Sequence, residues 1–309
     1  MGWEWREPSF VWLRDVSPRD GLQAEHVVLK TEDKVQLVNK LARAGVPRIE
    51  VTSFVSPKWL AQMADAEEVM AAIDRKPNVV YSVLVPNPKG AERAVATNPD
   101  EMTVFVSASE THNQKNVHRS IAESLKGFYD VWTMAKSRGI TVSAVIVTAF
   151  GCPYEGIVPL DTVLDLAWRL KDLGIHEIAL GDTVGVAHPK QVAAMVRAFR
   201  DKLPDVQLAL HFHDTRGTAL ANLLAAVGSG ASRFETALGG IGGSPFSPGA
   251  GGNLSTEDSV YCLSEMAIQT GIDLDQLLFI TRFLVEKLGH DVPSKVFHAG
   301  GKMVPVNAK

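Results

Sequence analysis

Two histidines separated by one residue form the first pattern in this chain that could do chemistry. His211 and His213 end a run of apolar residues, in the sequence His-Phe-His-Asp. Residues i and i+2 of a β-strand point to the same face, so both imidazoles can approach one point in space. Imidazole nitrogens are common ligands of divalent metals, which makes the pair a candidate metal site. The alternative is a pair of hydrogen-bonded histidines in the core.

Further polar residues stand at or near the ends of other predicted strands. They are Arg19 and Asp20 after the first strand, Glu50 in the second, Asp182 at the end of the sixth and Asn253 in the loop after the eighth. Each of them alone could be a helix N-cap or a surface residue. Five strand ends that all offer ligands or acid–base groups are better explained by one functional site. Two histidines, an aspartate and an asparagine oxygen would suit Mg²⁺, Mn²⁺, Co²⁺ or Zn²⁺.

Alternating strands and helices would position these side chains. Segments rich in β-branched residues predict strands at 11–16, 48–54, 79–85, 102–108, 142–148, 177–181, 206–213 and 233–238. Helices are predicted between them at 31–44, 58–74, 88–96, 119–138, 159–173, 188–202 and 216–228. Eight such units favour a closed (β/α)8 TIM barrel, an α/β fold. An open sheet of Rossmann type is disfavoured, because no Gly-x-Gly-x-x-Gly motif follows the first strand.

The segments after the eighth strand complete the predicted domain. We expect one domain over residues 1–309, with the TIM barrel at 10–240 and a Gly-rich active-site loop at 241–254. A C-terminal helical extension is predicted at 255–309, with helices at 255–270 and 273–288. Because active-site groups of a barrel stand at the C-terminal ends of its strands, the polar residues above would meet at one mouth.

Composition and charge exclude several classes of function. The chain has 309 residues, 46% of them hydrophobic, and a formal net charge of −4 at pH 7. Acidic and basic residues are mixed along the chain, so no basic block supports a nucleic-acid partner. The apolar runs are too short for a membrane helix, and the N-terminus is unlike a signal peptide. Cys152 and Cys262 are far apart, which is typical of a reducing compartment. The prediction is a cytoplasmic protein with no membrane partner.

At these motifs the chain resembles the 3-hydroxy-3-methylglutaryl-CoA lyase family. That family lies within a superfamily of metal-dependent barrels that also contains isopropylmalate and homocitrate synthases. The similar segments are SPRDGLQAE at 17–25, IEVTSFVSPKWLAQMAD at 49–65, SETHNQKN at 109–116, GCPYEG at 151–156, LGDTVGV at 180–186, HFHDTRGTALAN at 211–222 and the Gly-rich stretch at 242–258. TSFVSPKW and GCPYEG point to the lyases rather than to the synthases.

The resemblance implies a metal centre. The positions that match the family's ligands are Asp20, His211, His213 and Asn253. The expected cofactor is a divalent cation, Mg²⁺ or Mn²⁺ before Co²⁺ or Zn²⁺.

The resemblance also implies catalytic and substrate-binding residues. Arg19 matches the arginine that steadies the enolate oxygen, and Glu50 matches a carboxylate that supports the metal site. Asp182 matches an acid–base aspartate, and His211 is implicated in proton transfer as well as in ligation. The residues that fall in segments associated with substrate or acyl-CoA contact are Arg19, Gln23, Ser53 and Asn116.

Two positions depart from the family's pattern. Ser244 stands in Gly-Gly-Ser-Pro-Phe, where the family has a cysteine in Gly-Gly-Cys-Pro-Tyr. A thiol titrates near about 8.5, whereas a serine hydroxyl does not ionise in the physiological range. Ser244 could therefore donate a proton only as a relay from a better acid or from water. His26 stands where a lysine commonly follows the Gln-x-Glu of the first loop.

The expected activity is metal-dependent cleavage of the C2–C3 bond of a 3-hydroxyacyl-CoA resembling 3-hydroxy-3-methylglutaryl-CoA. The products would be acetyl-CoA and a keto acid. The serine at 244 leaves the exact acyl group open, with a longer 3-alkyl analogue and citramalyl-CoA as further candidates. The alternatives are a Claisen-type synthase that condenses acetyl-CoA with a 2-keto acid, and a non-catalytic protein that binds acyl-CoA or metal. A homodimer is expected from the resemblance.

Overall fold

Eight short strands pair in the order of the chain and close into a ring. The computed structural model describes residues 7–243 and 251–301. The strands are β1 Trp12–Asp15, β2 Arg48–Ser53, β3 Val80–Leu84, β4 Glu101–Ser107, β5 Thr141–Val147, β6 Glu177–Asp182, β7 Gln207–Phe212 and β8 Arg233–Thr236. Each is parallel to the next, and β1 pairs with β8 to close the barrel. The predicted (β/α)8 TIM barrel is confirmed.

Helices connect the strands and cover the outside of the barrel. They are α1 Thr31–Arg43, α2 Ala66–Ala72, α3 Pro88–Ala96, α4 Glu110–Val117, α5 Ile121–Lys136, α6 Leu160–Asp172, α7 Pro189–Lys202 and α8 Ala219–Val227. Apart from α4, these helices pack buried apolar faces on the apolar outer faces of the strands to form one core. Among the described residues, no helix combines the length and the apolar surface that a membrane span needs.

A helical extension follows the barrel, as predicted. It consists of α9 Thr256–Glu265, α10 Leu274–Leu288 and α11 Lys295–Ala299. The extension packs beside α1, where Lys287 Nζ on α10 lies 2.9 Å from Asp33 Oδ1. The division of the domain at residues 240 and 254 stays a prediction.

Two helices differ from the sequence-based expectation. The helix predicted at 58–74 begins later, because Leu60 has extended backbone angles (φ −142°, ψ 92°). A 3₁₀ turn, Ala61–Met63, and α2 occupy the segment instead. Helix α4 was not expected, because its sequence ETHNQKNV has no apolar stripe. It is started by Ser109, whose Oγ accepts a hydrogen bond from the His112 N–H at 3.1 Å.

The end of β1 also differs, in a way that matters for the site. The strand stops at Asp15, whose carboxylate accepts from the Ser17 N–H at 2.9 Å. Residues Ser17–Gly21 then form one π-helical turn, in which the Gly21 N–H donates to the Val16 carbonyl at 3.1 Å. Arg19 and Asp20 therefore lie on this turn rather than at the end of a strand.

Buried charges fill the N-terminal end of the barrel. Arg14 on β1 donates to Glu101 at 2.5 Å, to Glu177 at 2.8 Å and to Glu235 at 3.3 Å. Arg48 at the start of β2 bonds Glu101 and, at 2.8 Å, Glu177. Because each buried guanidinium has at least two carboxylate partners, this ion network closes the end of the barrel opposite the candidate site.

Candidate active site

A cavity of about 510 Å³ opens at the C-terminal ends of the strands. The predicted site residues that line it are Arg19, Asp20, Gln23, Ser53, Asn116, His211 and His213. Barrel closure brings these residues together from the π-helical turn, from β2, from α4 and from the end of β7. The cavity therefore collects most of the predicted residues at one mouth, where a barrel carries its active site.

Asp20, His211 and His213 form a compact cluster on the wall of this cavity. One ligand atom of each lies within 4.8 Å of the others, and the two imidazole rings are 5.1 Å apart at their centroids. His211 belongs to β7, and His213 follows the strand in a bridge to Asn253. The i, i+2 spacing has brought both rings to one face, as expected.

Asn253 completes the cluster from the loop after β8. Its Nδ2 donates to Asp20 Oδ2 at 2.9 Å and to the Ile241 carbonyl at 3.0 Å. Its Oδ1 is buried and has no hydrogen-bond partner among the described residues. A buried amide oxygen without a donor is costly, and a cation would satisfy it. Gly242 adjoins this amide with φ +119°, and a Cβ at this position would collide with Asn253 Nδ2.

The charge states of the cluster suit a divalent cation. Burial and the neighbouring His211 lower the pKa of His213 to about 4, so this imidazole is neutral at physiological pH. Burial alone would raise the pKa of Asp20, but the charge of Arg19 and the hydrogen bond from Asn253 contribute to lowering it below its usual value. An ionised carboxylate, a neutral imidazole and an unsatisfied amide oxygen are the donors that divalent metals take. The residues present therefore fit a divalent metal ion.

Arg19 lies beside the cluster and is held by two carboxylates. Its Nε donates to Glu50 Oε2 at 2.5 Å, and its Nη1 donates to Asp20 Oδ1 at 2.5 Å. Glu50 is buried on β2 and does not line the cavity, so it acts on the site through Arg19. Because a guanidinium has five N–H donors, Arg19 keeps donors for a ligand in the cavity.

Asp182 is not brought into the cavity. It is fully buried at the end of β6, and its two carboxylate oxygens accept from the Val186 N–H at 2.8 Å and the Ala187 N–H at 3.1 Å. Its neighbours Gly181 and Thr183 line the cavity instead. Since alternate residues of a strand face opposite sides, Asp182 points away from the site. The structure therefore places Asp182 outside the cavity, and its acid–base role stays a prediction.

Two residues of the site were missed by sequence reasoning. Glu235 on β8 lines the cavity, and its Oε2 lies 3.0 Å from His211 Nδ1. The sequence does contain a signal for Glu235, which is a glutamate beside Phe234 within a strand that is predicted to be buried. His112 on α4 also lines the cavity, and neither of its ring nitrogens has a hydrogen-bond partner among the described residues. No pattern in the sequence singled out His112.

Ser244, the predicted relay for the final proton, lies outside the described residues. The described chain ends before it at Gly243, which lines the cavity.

Comparison with known proteins shows similarity over nearly the whole chain. The family model described as HMGL-like matches residues 11–284. The hydroxymethylglutaryl-CoA lyase of Bacillus subtilis is 46% identical over 288 residues, which are 93% of this chain and 96% of that protein. The mitochondrial hydroxymethylglutaryl-CoA lyase of Rattus norvegicus is 44% identical over 296 residues, covering 96% of this chain and 91% of that protein.

Solved structures extend the likeness to three dimensions. An HMG-CoA lyase from Acinetobacter baumannii, in complex with coenzyme A and 3-methylmalate, has a TM-score of 0.92 at 44% identity. The match covers 96% of this chain and 98% of that one. An HMG-CoA lyase from Pseudomonas aeruginosa has the same TM-score at 40% identity, covering 95% and 98% of the two chains. This chain therefore belongs to the HMGL-like family and, within it, to the HMG-CoA lyase family of carbon–carbon lyases.

Proposed function

We propose that this protein is a divalent-metal-dependent lyase that cleaves the C2–C3 bond of 3-hydroxy-3-methylglutaryl-CoA or a close 3-hydroxyacyl-CoA. The products are acetyl-CoA and a keto acid, which is acetoacetate for the parent substrate. The observation that carries the proposal is the cluster of Asp20, His211 and His213, within 4.8 Å, on the wall of an acyl-sized cavity. Membership of the HMG-CoA lyase family supports the same reaction.

The reaction sets three demands on the site. The 3-hydroxyl loses its proton and becomes the carbonyl of the keto acid, while the C2–C3 bond breaks. The electrons of that bond pass to the thioester as an enolate, and C2 then takes up a proton to become the methyl group of acetyl-CoA. The site must therefore acidify the hydroxyl, hold the enolate oxygen and return a proton to carbon.

The first demand is assigned to the metal cluster. The proposed ligands are Asp20, His211, His213 and the amide oxygen of Asn253. A divalent cation held there supplies the Lewis acidity that lowers the pKa of the 3-hydroxyl. We propose Mg²⁺ or Mn²⁺ before Co²⁺ or Zn²⁺, because half of the donors are hard oxygen ligands. Titration of metal-free protein with each cation separates these choices.

The second demand is assigned to Arg19. Its guanidinium is fixed by Glu50 and Asp20 at 2.5 Å each, so it needs no reorganisation when negative charge develops on the thioester oxygen. Glu50 is proposed to position Arg19 and, through it, Asp20. A fixed cation in a largely buried site acts more strongly than the same cation in water.

The third demand is proton transfer. His211 cannot serve as ligand and base through one nitrogen, because its Nδ1 is bonded to Glu235 and only the Nε2 lone pair is left. We propose that His211 is a ligand. The proton of the 3-hydroxyl is proposed to pass to water in the cavity, and Ser244 is proposed to relay a proton from water to C2. Asp182 is not included in this chemistry.

The rest of the cavity is proposed to hold the acyl-CoA. Gln23, Ser53 and Asn116 line it and offer amide and hydroxyl groups to the substrate. The crystallised relative from Acinetobacter baumannii, solved with coenzyme A, supports this use of the cavity. A homodimer and a cytoplasmic location are also proposed. Sedimentation velocity of the purified protein tests the dimer.

A substrate screen tests the proposed function. Metal-free protein is incubated with 3-hydroxy-3-methylglutaryl-CoA, a longer 3-alkyl analogue and citramalyl-CoA, each with Mg²⁺ or Mn²⁺, and both products are identified by mass. We expect cation-dependent release of acetyl-CoA and a keto acid in equal amounts. A parallel incubation with acetyl-CoA and 2-ketoisovalerate, followed by thiol release, tests for synthase activity. Acyl-CoA binding without cleavage of any substrate would overturn the proposal.

A further inference from the structure

Glu235 on β8 lies between two charged or titratable residues of the neighbouring strands. In the register of β8 it is the direct partner of His211 on β7 and of Arg14 on β1. These three residues therefore lie at one level of the barrel, and all three side chains point into the interior. Glu235 is 3% exposed, so its charge must be satisfied by these neighbours.

The two carboxylate oxygens of Glu235 have different partners. Oε2 lies 3.0 Å from His211 Nδ1, and Oε1 accepts from Arg14 Nη1 at 3.3 Å. Arg14 is itself held by Glu101 at 2.5 Å and by Glu177 at 2.8 Å. Arg14 and its carboxylate partners lie on the side of Glu235 that faces away from the cavity. This buried ion network therefore fixes the orientation of the Glu235 carboxylate.

This arrangement determines which nitrogen of His211 carries the proton. An ionised carboxylate has acceptors only, and a neutral imidazole has one N–H. The N–H of His211 therefore lies at Nδ1, toward Glu235, and the lone pair at Nε2 is left free. A metal ligand needs that lone pair, and the partner of the other nitrogen decides the tautomer.

His213 shows the same arrangement with a different acceptor. Its Nδ1 lies 3.0 Å from the Gly251 carbonyl, which can only accept a hydrogen bond. In the neutral form, both histidines are therefore held with the proton at Nδ1 and with the lone pair at Nε2. Two independent acceptors therefore favour the same tautomer in this cluster, and both leave an Nε2 lone pair for a cation.

We propose that Glu235 is a positioning residue that fixes His211 in the Nδ1–H tautomer and so keeps Nε2 available to the cation. The role of this tautomer in metal binding rests on the proposed function, but the assignment of the tautomer does not. Glu235 acts through His211 and takes no part in the bond cleavage. Arg14 supports this role by holding the second oxygen of the carboxylate.

Glu235→Gln tests the proposal without a change of volume. Arg14 has donors only, so the amide oxygen of the glutamine faces Arg14 and its NH₂ group faces His211. His211 Nδ1 must then accept, and its proton moves to Nε2. The tautomer is read from the imidazole ¹⁵N shifts of metal-free protein, at a pH where His211 is neutral. Mn²⁺ affinity is measured by calorimetry on the same samples.

We expect Nδ1–H in the wild type and Nε2–H in Glu235→Gln, with the Kd for Mn²⁺ raised about 10- to 100-fold. Glu235→Asp, which keeps a carboxylate, should restore Nδ1–H. Glu177→Gln is the matched control, because it removes a carboxylate from the same Arg14 without touching His211. In Glu177→Gln, the tautomer of His211 and the Kd for Mn²⁺ should be the same as in the wild type.

An unchanged tautomer in Glu235→Gln, or an equal loss of Mn²⁺ affinity in Glu177→Gln, would overturn the proposal. A reversed tautomer in a protein whose wild type binds no cation would uphold the positioning role and would overturn the proposed metal function instead. Circular dichroism and thermal unfolding show that each variant has folded.

Discussion

Asn253 donates from Nδ2 to Oδ2 of Asp20 at 2.9 Å, although the two residues are 233 positions apart in the chain. The contact exists because β8 closes on β1, which places the loop after the last strand beside the turn after the first. The cluster of Asp20, His211 and His213 thus depends on closure of the whole barrel. Metal binding and global folding should therefore be linked, and a bound cation should stabilise the protein.

Removal of one proposed ligand tests the metal centre. We expect His213→Ala to lower metal affinity by at least the 10- to 100-fold that is typical for loss of an outer partner of a ligand. The metal content of the dialysed protein, measured by elemental analysis, checks this. His176→Ala removes an exposed histidine and is the control. Full occupancy in His213→Ala would refute the assignment.

Arg19→Met tests the stabilisation of the enolate oxygen. Loss of one contact of this type costs about 10²- to 10³-fold in kcat, and the metal content should remain near that of the wild type. Arg43→Met, which removes an exposed arginine paired with Asp74, should be neutral. Activity within about 10-fold of the wild type would contradict the role of Arg19.

Asp182→Asn tests whether this aspartate takes part in proton transfer. Because both of its oxygens accept backbone N–H groups and its neighbours line the cavity, we expect kcat to fall by less than about 10-fold. Steady-state kinetics at saturating cation give the answer. A folded variant whose kcat falls by about 100-fold or more would show that Asp182 takes part in proton transfer.

The same variant gives a pH dependence of stability. Burial raises the pKa of Asp182 from 3.8 to about 6, so the folded state binds this proton more tightly than the unfolded state. The stability that this group contributes is full below the unfolded value and is lost as the pH rises through about 6. Urea unfolding should show that the wild type loses about 2 kcal/mol relative to Asp182→Asn between pH 4 and pH 7. A constant difference would contradict the raised pKa.

Ser244→Cys tests the final protonation. A thiol with a pKa near about 8.5 can donate a proton directly, whereas the serine must relay one from water. We expect kcat to rise in this variant, and we expect no change in Ser264→Cys, which places a thiol at an exposed position of α9. An unchanged or lower kcat in Ser244→Cys would remove residue 244 from the proton path.

The sequence predicted the parts of the site that follow from strand periodicity. The i, i+2 rule placed His211 and His213 on one face, because β7 runs straight through the first of them and ends beside the second. The same rule explains the position of Asp182 outside the cavity. Gly181 on β6 and Thr183 just after the strand both line the cavity, but a glycine has no side chain to reveal that face in the sequence.

Other features depend on contacts that no local pattern contains. Glu235 is recognised only when the register pairs it with His211 and Arg14, which come from distant segments. Arg19 and Asp20 were expected at the end of a strand, but Pro18 lacks an N–H and the chain turns into a π-helix. Helix α4 was missed because its polar sequence is fixed by a cap and by its neighbours rather than by an apolar stripe.

The proposed metal centre can be located by anomalous diffraction from crystals grown with Mn²⁺. We expect one strong peak between Asp20, His211 and His213, at about 2.0–2.3 Å from a carboxylate oxygen and from Nε2 of each imidazole. The Asn253 amide oxygen should lie at the same distance. A peak elsewhere in the barrel, or no peak at this cluster at saturating Mn²⁺, would refute a metal centre at these residues.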